Sequence, residues 1–159
     1  MHLKVIAVGQ RMPSWVSAGA DHYLKSMRRF AQCELVEVKA AKGTMSPSIV
    51  NTKGIKKETA AVLSHIDSSD HVVTLDVMGQ GWSIADIADR ITQWSRESLN
   101  VVFLIGGANG LSDACRQRAN ASWALSPSVY PHGLARVMVL EQLFRGLSIV
   151  HNHPYHLGH

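Results

Sequence analysis

The chain has 159 residues, 46% of them hydrophobic and 18% charged, with a formal net charge of +4. That length and composition give one domain over residues 1–159 with a sizeable core, and exclude global disorder. No apolar run approaches the roughly 20 residues of a membrane span, and two cysteines outside any CxxC pair, Cys33 and Cys115, exclude a disulfide framework.

In chain order, residues 2–8 read as a strand that ends at Gly9. Pro13-Ser14 then opens a helical pattern with Val16, Ala20, Tyr23, Leu24 and Met27 on one face. Residues 34–39 alternate as a half-buried strand does. Ser46-Pro47 is a helix start, and the helix reaches about residue 66 with Gly54 as a weak point. Residues 71–76 form a compact strand, and Gly79 and Gly81 mark a loop. Ser83 with Asp86 resembles a capping box, ahead of Ile84, Ile87, Ala88, Ile91 and Trp94 at helical spacing. Residues 100–105 have the apolar, β-branched character of a central parallel strand. Gly106-Gly107-Ala108-Asn109-Gly110 follows, then a short helix from Ser112-Asp113, a short strand over residues 122–125, and a long helix over residues 134–150. This alternation predicts an α/β fold, a mostly parallel sheet with helices on both faces. The last helix is apolar nearly all round, so it is expected to be buried on two sides, by its own core or by a second subunit. Glu141 and Arg145 can pair along it at i, i+4.

Residues 1–57 hold ten Lys/Arg against three acids, and the remainder holds six against nine. A basic first third on a near-neutral body suits a polyanionic partner such as nucleic acid, or is simply a solvated face. Lys53, Lys56 and Lys57 lie close together on the predicted helix, near Lys39 and Lys42.

The glycine loop after the fourth strand is either a ligand loop or a tight strand-to-helix turn. It matches neither GxGxxG nor a P-loop. Pro131-His132-Gly133 ahead of the last helix, with Arg136 in the first turn, makes an anion-friendly corner. His151, His153, His156 and His159 crowd the tail without a rigid metal-ligand spacing, so no metal is expected there. The tail is a solvated end or a segment that folds over a site. Trp82, between glycines, is a stacking candidate, and the cysteines read as inert buried thiols. The first residues, Met1-His2-Leu3-Lys4-Val5, turn polar too soon for a secretory signal, so a cytoplasmic location is expected.

Several stretches occur in a fixed order: Ala7-Val8-Gly9, Met12-Pro13-Ser14-Trp15-Val16, Val73-Thr74-Leu75-Asp76, Phe103-Leu104-Ile105-Gly106-Gly107, Gly110-Leu111-Ser112, Trp123-Ala124-Leu125-Ser126, Pro131-His132 and Asn152-His153-Pro154-Tyr155-His156. Together they resemble the ribosomal large-subunit RNA methyltransferase H family, minimal members of the SPOUT class of S-adenosylmethionine-dependent methyltransferases. The resemblance spans essentially the whole chain. Two positions depart from it: Ala108-Asn109 stands where related sequences often carry Pro-Glu or Ser-Leu, and Gly133 stands where Pro is frequent.

The resemblance implies an α/β sheet with a C-terminal trefoil knot. It implies a homodimer that methylates N3 of a pseudouridine in large-subunit rRNA of the assembled ribosome, with S-adenosylmethionine as cofactor and no metal. The family's cofactor contacts fall on Leu75, Gly106, Leu125, Ser126, Pro127, Ser128, Val129 and Tyr130. Methyl transfer needs alignment and loss of the ring proton. Arg136 is the candidate for electrostatic stabilisation, and Tyr155 and His156 are candidates for positioning or proton removal. The alternatives are another RNA target within the same class, or a non-catalytic RNA- or ribosome-binding module that keeps the fold.

Overall fold

The computed structural model of the protein describes residues 1–42 and 51–158. Five strands, β1 (His2–Val8), β2 (Gln32–Val38), β3 (His71–Gly81), β4 (Asn100–Ile105) and β5 (Ala121–Ala124), form one sheet in the order β2-β1-β4-β3-β5. Every pairing is parallel. The α/β reading with a parallel sheet therefore holds. Apolar side chains alternate along the central strands, as the pleat requires. Leu3, Val5, Ala7, Val101, Phe103 and Ile105 face one layer of helices; Ile6, Val8, Val102 and Leu104 face the other.

The first layer holds α1 (Ser14–Met27), α3 (Ile84–Arg96) and α5 (His132–Val150). The second holds α2 (Thr52–Leu63) and α4 (Asp113–Arg118). The expected start of α2 at Ser46-Pro47 lies outside the described residues. Within them Asn51 caps the helix, its side chain accepting from the Gly54 N–H at 2.9 Å. The capping box of α3 is present, with Ser83 and Asp86 bonding each other's backbone. Cys33 and Cys115 sit on opposite faces of the sheet. Burial pushes the Cys33 thiol up to about 12, so it is inert as a nucleophile at neutral pH.

Two segments differ from the sequence reading. The glycines expected to mark a loop after residue 76 lie inside β3. Leu75 and Gln80 both stand opposite Trp123, so the residues between them bulge out of the ladder. Gly79 is needed there, because a Cβ would come within 2.8 Å of the Ser122 backbone. The last helix starts at His132 rather than Leu134, with Pro131 as its cap and Gly133 buried in its first turn. It lies between α1 and α3. Its apolar girth is thus met largely by the chain's own helices. A strip comprising Leu134, Val137, Met138, Glu141, Gln142 and Arg145 stays half-buried. Glu141 and Arg145 pair as expected, at 2.6 Å.

The buried residue that ties these layers together is Arg136, whose side chain is 1% exposed. Its Nη2 donates to the carbonyls of Gly9 and Val8 at 2.8 and 3.2 Å, and its Nη1 to Glu37 Oε2 at 3.0 Å. Removing the arginine strands two buried carbonyls and opens a cavity. Arg136→Ala should cost about 3 kcal/mol or more of folding stability. Glu37 is 41% exposed, so Glu37→Gln should cost only about 1 kcal/mol. Urea unfolding of both variants checks the ordering.

Candidate active site

Loops that follow β3, β4 and β5 leave the sheet at the carboxyl ends of the strands, where open α/β sheets bind ligands. The loops enclose a cavity of about 590 Å³. That lies within the roughly 300–1,000 Å³ of small-molecule sites. Leu75 and Asp76 line it from β3, Gly106 and Leu111 from the glycine loop, and Leu125 to Pro131, except Pro127, from the loop after β5. His132 and Ala135 close it from the first turns of α5. Seven of the eight expected cofactor residues therefore share one wall; Pro127 is exposed and does not line the cavity.

The glycine loop has a structural job that sequence left open. Gly107 and Gly110 bridge across a tight turn, with the Gly110 N–H donating to the Gly107 carbonyl at 3.0 Å. A Cβ on Gly106 would meet the backbone of Gly110 at 2.6 Å and of Leu111 at 2.8 Å. Gly106 is thus required to pack the turn against itself. Ala108 and Asn109 stand exposed at its tip. In the loop after β5, Ser126 Oγ accepts from the Ser128 N–H at 2.8 Å, which curls residues 126–128.

Most of the wall is apolar: Leu75, Val77, Ile105, Leu111, Trp123 and Leu125. Its charged side chains are Asp76 and Arg116, joined by a 3.0 Å ion pair. Such a wall suits a ligand with a flat ring system at one end and a charged group at the other. Asp76, Arg116, Trp123 and Ala135 were missed by sequence reasoning. An acid closing the strand-like run of residues 72–75 was the signal for Asp76.

The three expected catalytic residues stand elsewhere. Arg136 lies below the cavity and spends its donors on Val8, Gly9 and Glu37. The tail is no loose end. Asn152, with φ 54°, turns the chain at the end of α5, and the His153 N–H donates to the Ser148 carbonyl at 2.7 Å. A 3-10 helix, Pro154–Leu157, then docks on α5. Tyr155 packs on Phe144 at 4.4 Å and donates to Glu141 Oε1 at 3.2 Å. His156 Nδ1 lies 3.3 Å from Ser148 Oγ. His151 stacks on Phe30, and His153 meets the edge of the same ring and faces Arg29, whereas His156 turns to Ser148. Ala135 and Ser148 lie thirteen residues apart on α5, roughly 20 Å at the rise of an α-helix. Within one chain, then, His156 is far from the cavity. Trp82 does stack, but internally: on Trp123 at 4.9 Å, with Arg90 over its other face at 4.0 Å.

Burial raises the Tyr155 phenol above its ordinary value, helped by its bonds to Tyr23 and Glu141 and by the Glu141 charge. Tyr155 is therefore a donor at neutral pH, not a base. The shift stabilises the fold fully below the unfolded-state value, near pH 10, and is lost as pH rises through the higher folded value. Between about pH 9 and pH 11, wild type should lose more unfolding free energy than Tyr155→Phe, as read by urea denaturation across that range.

A family model described as "Predicted SPOUT methyltransferase" matches residues 1–156. The ribosomal RNA large subunit methyltransferase H of Methylococcus capsulatus is 42% identical over 156 residues, covering 98% of this chain and 99% of that protein. The protein of the same name from Hahella chejuensis is 40% identical, with the same coverage. Among solved structures, a probable methyltransferase from Bordetella pertussis Tohama I superposes with a TM-score of 0.54 over 91% of this chain and 95% of its own, at 14% identity. A probable methylase family protein from Haemophilus influenzae Rd KW20 also gives 0.54, over 96% of this chain and 69% of its own, at 12% identity. Those two likenesses speak for the fold, whereas the sequence relatives and the match over residues 1–156 speak for descent: the chain belongs to the SPOUT methyltransferases, among the ribosomal RNA large subunit methyltransferases H.

Proposed function

We propose that this protein transfers a methyl group from S-adenosylmethionine to N3 of a pseudouridine in large-subunit rRNA, acting on the assembled ribosome in the cytoplasm as a homodimer. The observation that carries the reading is the convergence of Leu75, Gly106 and the loop after β5 on one cavity. A non-catalytic RNA-binding module has no use for such a pocket. The relatives' shared name favours ribosomal RNA over another RNA target.

The bound cofactor would supply an already activated methyl group. The loop backbones and the apolar wall hold its flat part and exclude water. Alignment is then the main task of the chain. His156 and the cavity lie at opposite ends of α5, so in this reading the tail serves the other subunit. A groove lined by Tyr23, Trp82, Val137, Met138, Glu141 and Gln142 supports that reading, since Trp123 and Leu125 belong to both its wall and the cavity's. A second copy lying along this strip would bring its Tyr155 and His156 toward the first copy's cavity. There Tyr155 would donate a hydrogen bond, and His156 would position the base or take its proton. Arg136 would act from below, by holding the cavity's rear wall in register. The threading of the C-terminal segment into a trefoil knot, which the resemblance to the family implies, forms part of the same reading.

The basic third supports an RNA partner. Lys39 and Lys42 lie beyond the end of β2, and the segment is tied to α2 by the Ala41 N–H on Glu58 at 2.7 Å and Asn51 Nδ2 on the Lys42 carbonyl at 3.1 Å. Lys53, Lys56 and Lys57 are exposed on α2. The parallel crossover brings the start of α2 to the sheet edge that bears the cavity, with β2 two strands, roughly 10 Å, from β4.

The direct test is mass spectrometry of rRNA after purified ribosomes lacking the modification are incubated with the protein and S-adenosylmethionine. Appearance of N3-methylpseudouridine supports the reading, and unmodified rRNA overturns it. Ala135→Phe, which fills the cavity from a helical position, should weaken S-adenosylhomocysteine binding at least about tenfold in calorimetry. Lys53→Glu with Lys56→Glu should weaken ribosome binding and flatten its salt dependence while leaving cofactor affinity unchanged. Removal of residues 151–159 should abolish most of the activity and leave a dimer by light scattering. Because Tyr155 packs on Phe144, the truncated dimer should also melt lower than wild type.

A further inference from the structure

The ion pair in the cavity wall is poorly explained as a stabilising contact. Arg116 is 48% exposed and Asp76 17%. Pairs this open to water add on the order of 0–1 kcal/mol. The pair is nevertheless built with care. Asp76 Oδ1 accepts from the Met78 N–H at 3.0 Å, and Oδ2 accepts from Arg116 Nε at 3.0 Å. This fixes the carboxylate at the root of the β3 bulge. Arg116 comes from α4, on the far side of the glycine loop. Among the described residues its Nη1 has only a 3.8 Å contact with Asp113, and Nη2 makes no hydrogen bond. Nη2 hangs over Gly110, 3.7 Å from where a side-chain carbon would stand. Two nitrogens of the guanidinium and the free lone pairs of the carboxylate are therefore available beside a mostly apolar wall.

Opposite charges side by side, one a planar donor fork and the other an acceptor, match the two ends of a zwitterionic α-amino acid. We infer that Arg116 and Asp76 form the subsite for the amino-acid end of the methyl donor, Arg116 binding its carboxylate and Asp76 its ammonium group. This rests on the cofactor reading above. It gives the pair a role in positioning: anchoring the charged end fixes the rest of the ligand along the cavity. The adenosine portion is held by the loop after β5 and by Leu75, independently of the pair.

Calorimetry on the full-length protein with two ligands separates these contributions. S-adenosylhomocysteine carries the amino-acid end, whereas 5′-methylthioadenosine lacks it. Arg116→Gln should lower affinity for S-adenosylhomocysteine by about ten- to a hundredfold, the range expected for one charge-assisted bond. Asp76→Asn, which keeps an oxygen for the Met78 N–H, should lower it by about tenfold. Neither change should alter affinity for 5′-methylthioadenosine, which also reports that the variants are folded. Equal losses for both ligands would mean that the pair only shapes the wall, and would overturn the subsite. Unchanged affinity for both, with weaker ribosome binding by Arg116→Gln, would overturn it in favour of an RNA-phosphate contact. Wild-type protein that binds 5′-methylthioadenosine and S-adenosylhomocysteine equally well also overturns it while leaving the cofactor reading intact. Wild-type protein that binds neither overturns both.

Discussion

Arg136 places a full positive charge inside the protein, where the first two strands end and the last helix begins. A buried charge is tolerated only when it is paired and hydrogen-bonded. Here the partners are the carbonyls of Val8 and Gly9 and the carboxylate of Glu37. They come from the ends of β1 and β2. Nε alone stays without a partner. The arrangement leaves the first turn of α5 a single seat against the sheet. His132, one turn earlier, and Ala135, the preceding residue, then become the rear wall of the cavity. The site's geometry is thus inherited from a charge that does not face it.

The cavity itself is a consequence of parallel strands. All five strands deliver their carboxyl ends to one edge, so three consecutive loops must share that edge with the start of α5. Each loop is shaped by its own local device: the β3 bulge by Gly79 against Ser122, the glycine turn by Gly106 against Gly110, and the loop after β5 by the Ser126 hydroxyl. None of these devices requires a ligand. They leave room because loops so curled cannot fill the space between them. The ion pair in that space is Asp76–Arg116, which joins β3 to α4 across the glycine loop.

The last helix carries two roles in one sequence. Toward the sheet, α1 and α3 it is core, with Val139, Leu140, Leu143 and Leu147 at or below 1% exposed. Gly146 brings α3 so close that a Cβ would stand 2.7 Å from Ile87 Cγ2. On the outer side, Val137 and Met138 sit beside Glu141 and Gln142 in a shallow groove. The tail fastens to the same helix through Tyr155 on Glu141, near its middle, and His156 beside Ser148, near its end. Helix, groove and tail thereby form one continuous surface running from the cavity to the opposite edge of the sheet.

Patterns local in sequence determined the elements: alternation in β1, the apolar run of β4, the Ser83–Asp86 box, and the periodicity of α1 and α3 were each legible from neighbouring residues. The order of elements implied the parallel sheet, and the resemblance to known methyltransferases pointed to Leu75, Gly106 and the loop after β5. Tertiary structure decided what depends on residues far apart in the chain. Gly79 and Gly81 look like loop residues until β5 arrives, pairing with Gly81 and packing its Ser122 backbone against Gly79. The apolar girth of α5 looks like a subunit interface until α1 and α3 cover most of it. Arg136 looks like a catalytic cation until the carbonyls of Val8 and Gly9, 128 and 127 residues away, claim its donors. Arg116 gave no signal of its own, because its meaning comes from Asp76, forty residues earlier. Propensity and periodicity report the few residues around a position. A buried charge or a shared wall is fixed by groups that only the folded chain brings within a few ångströms.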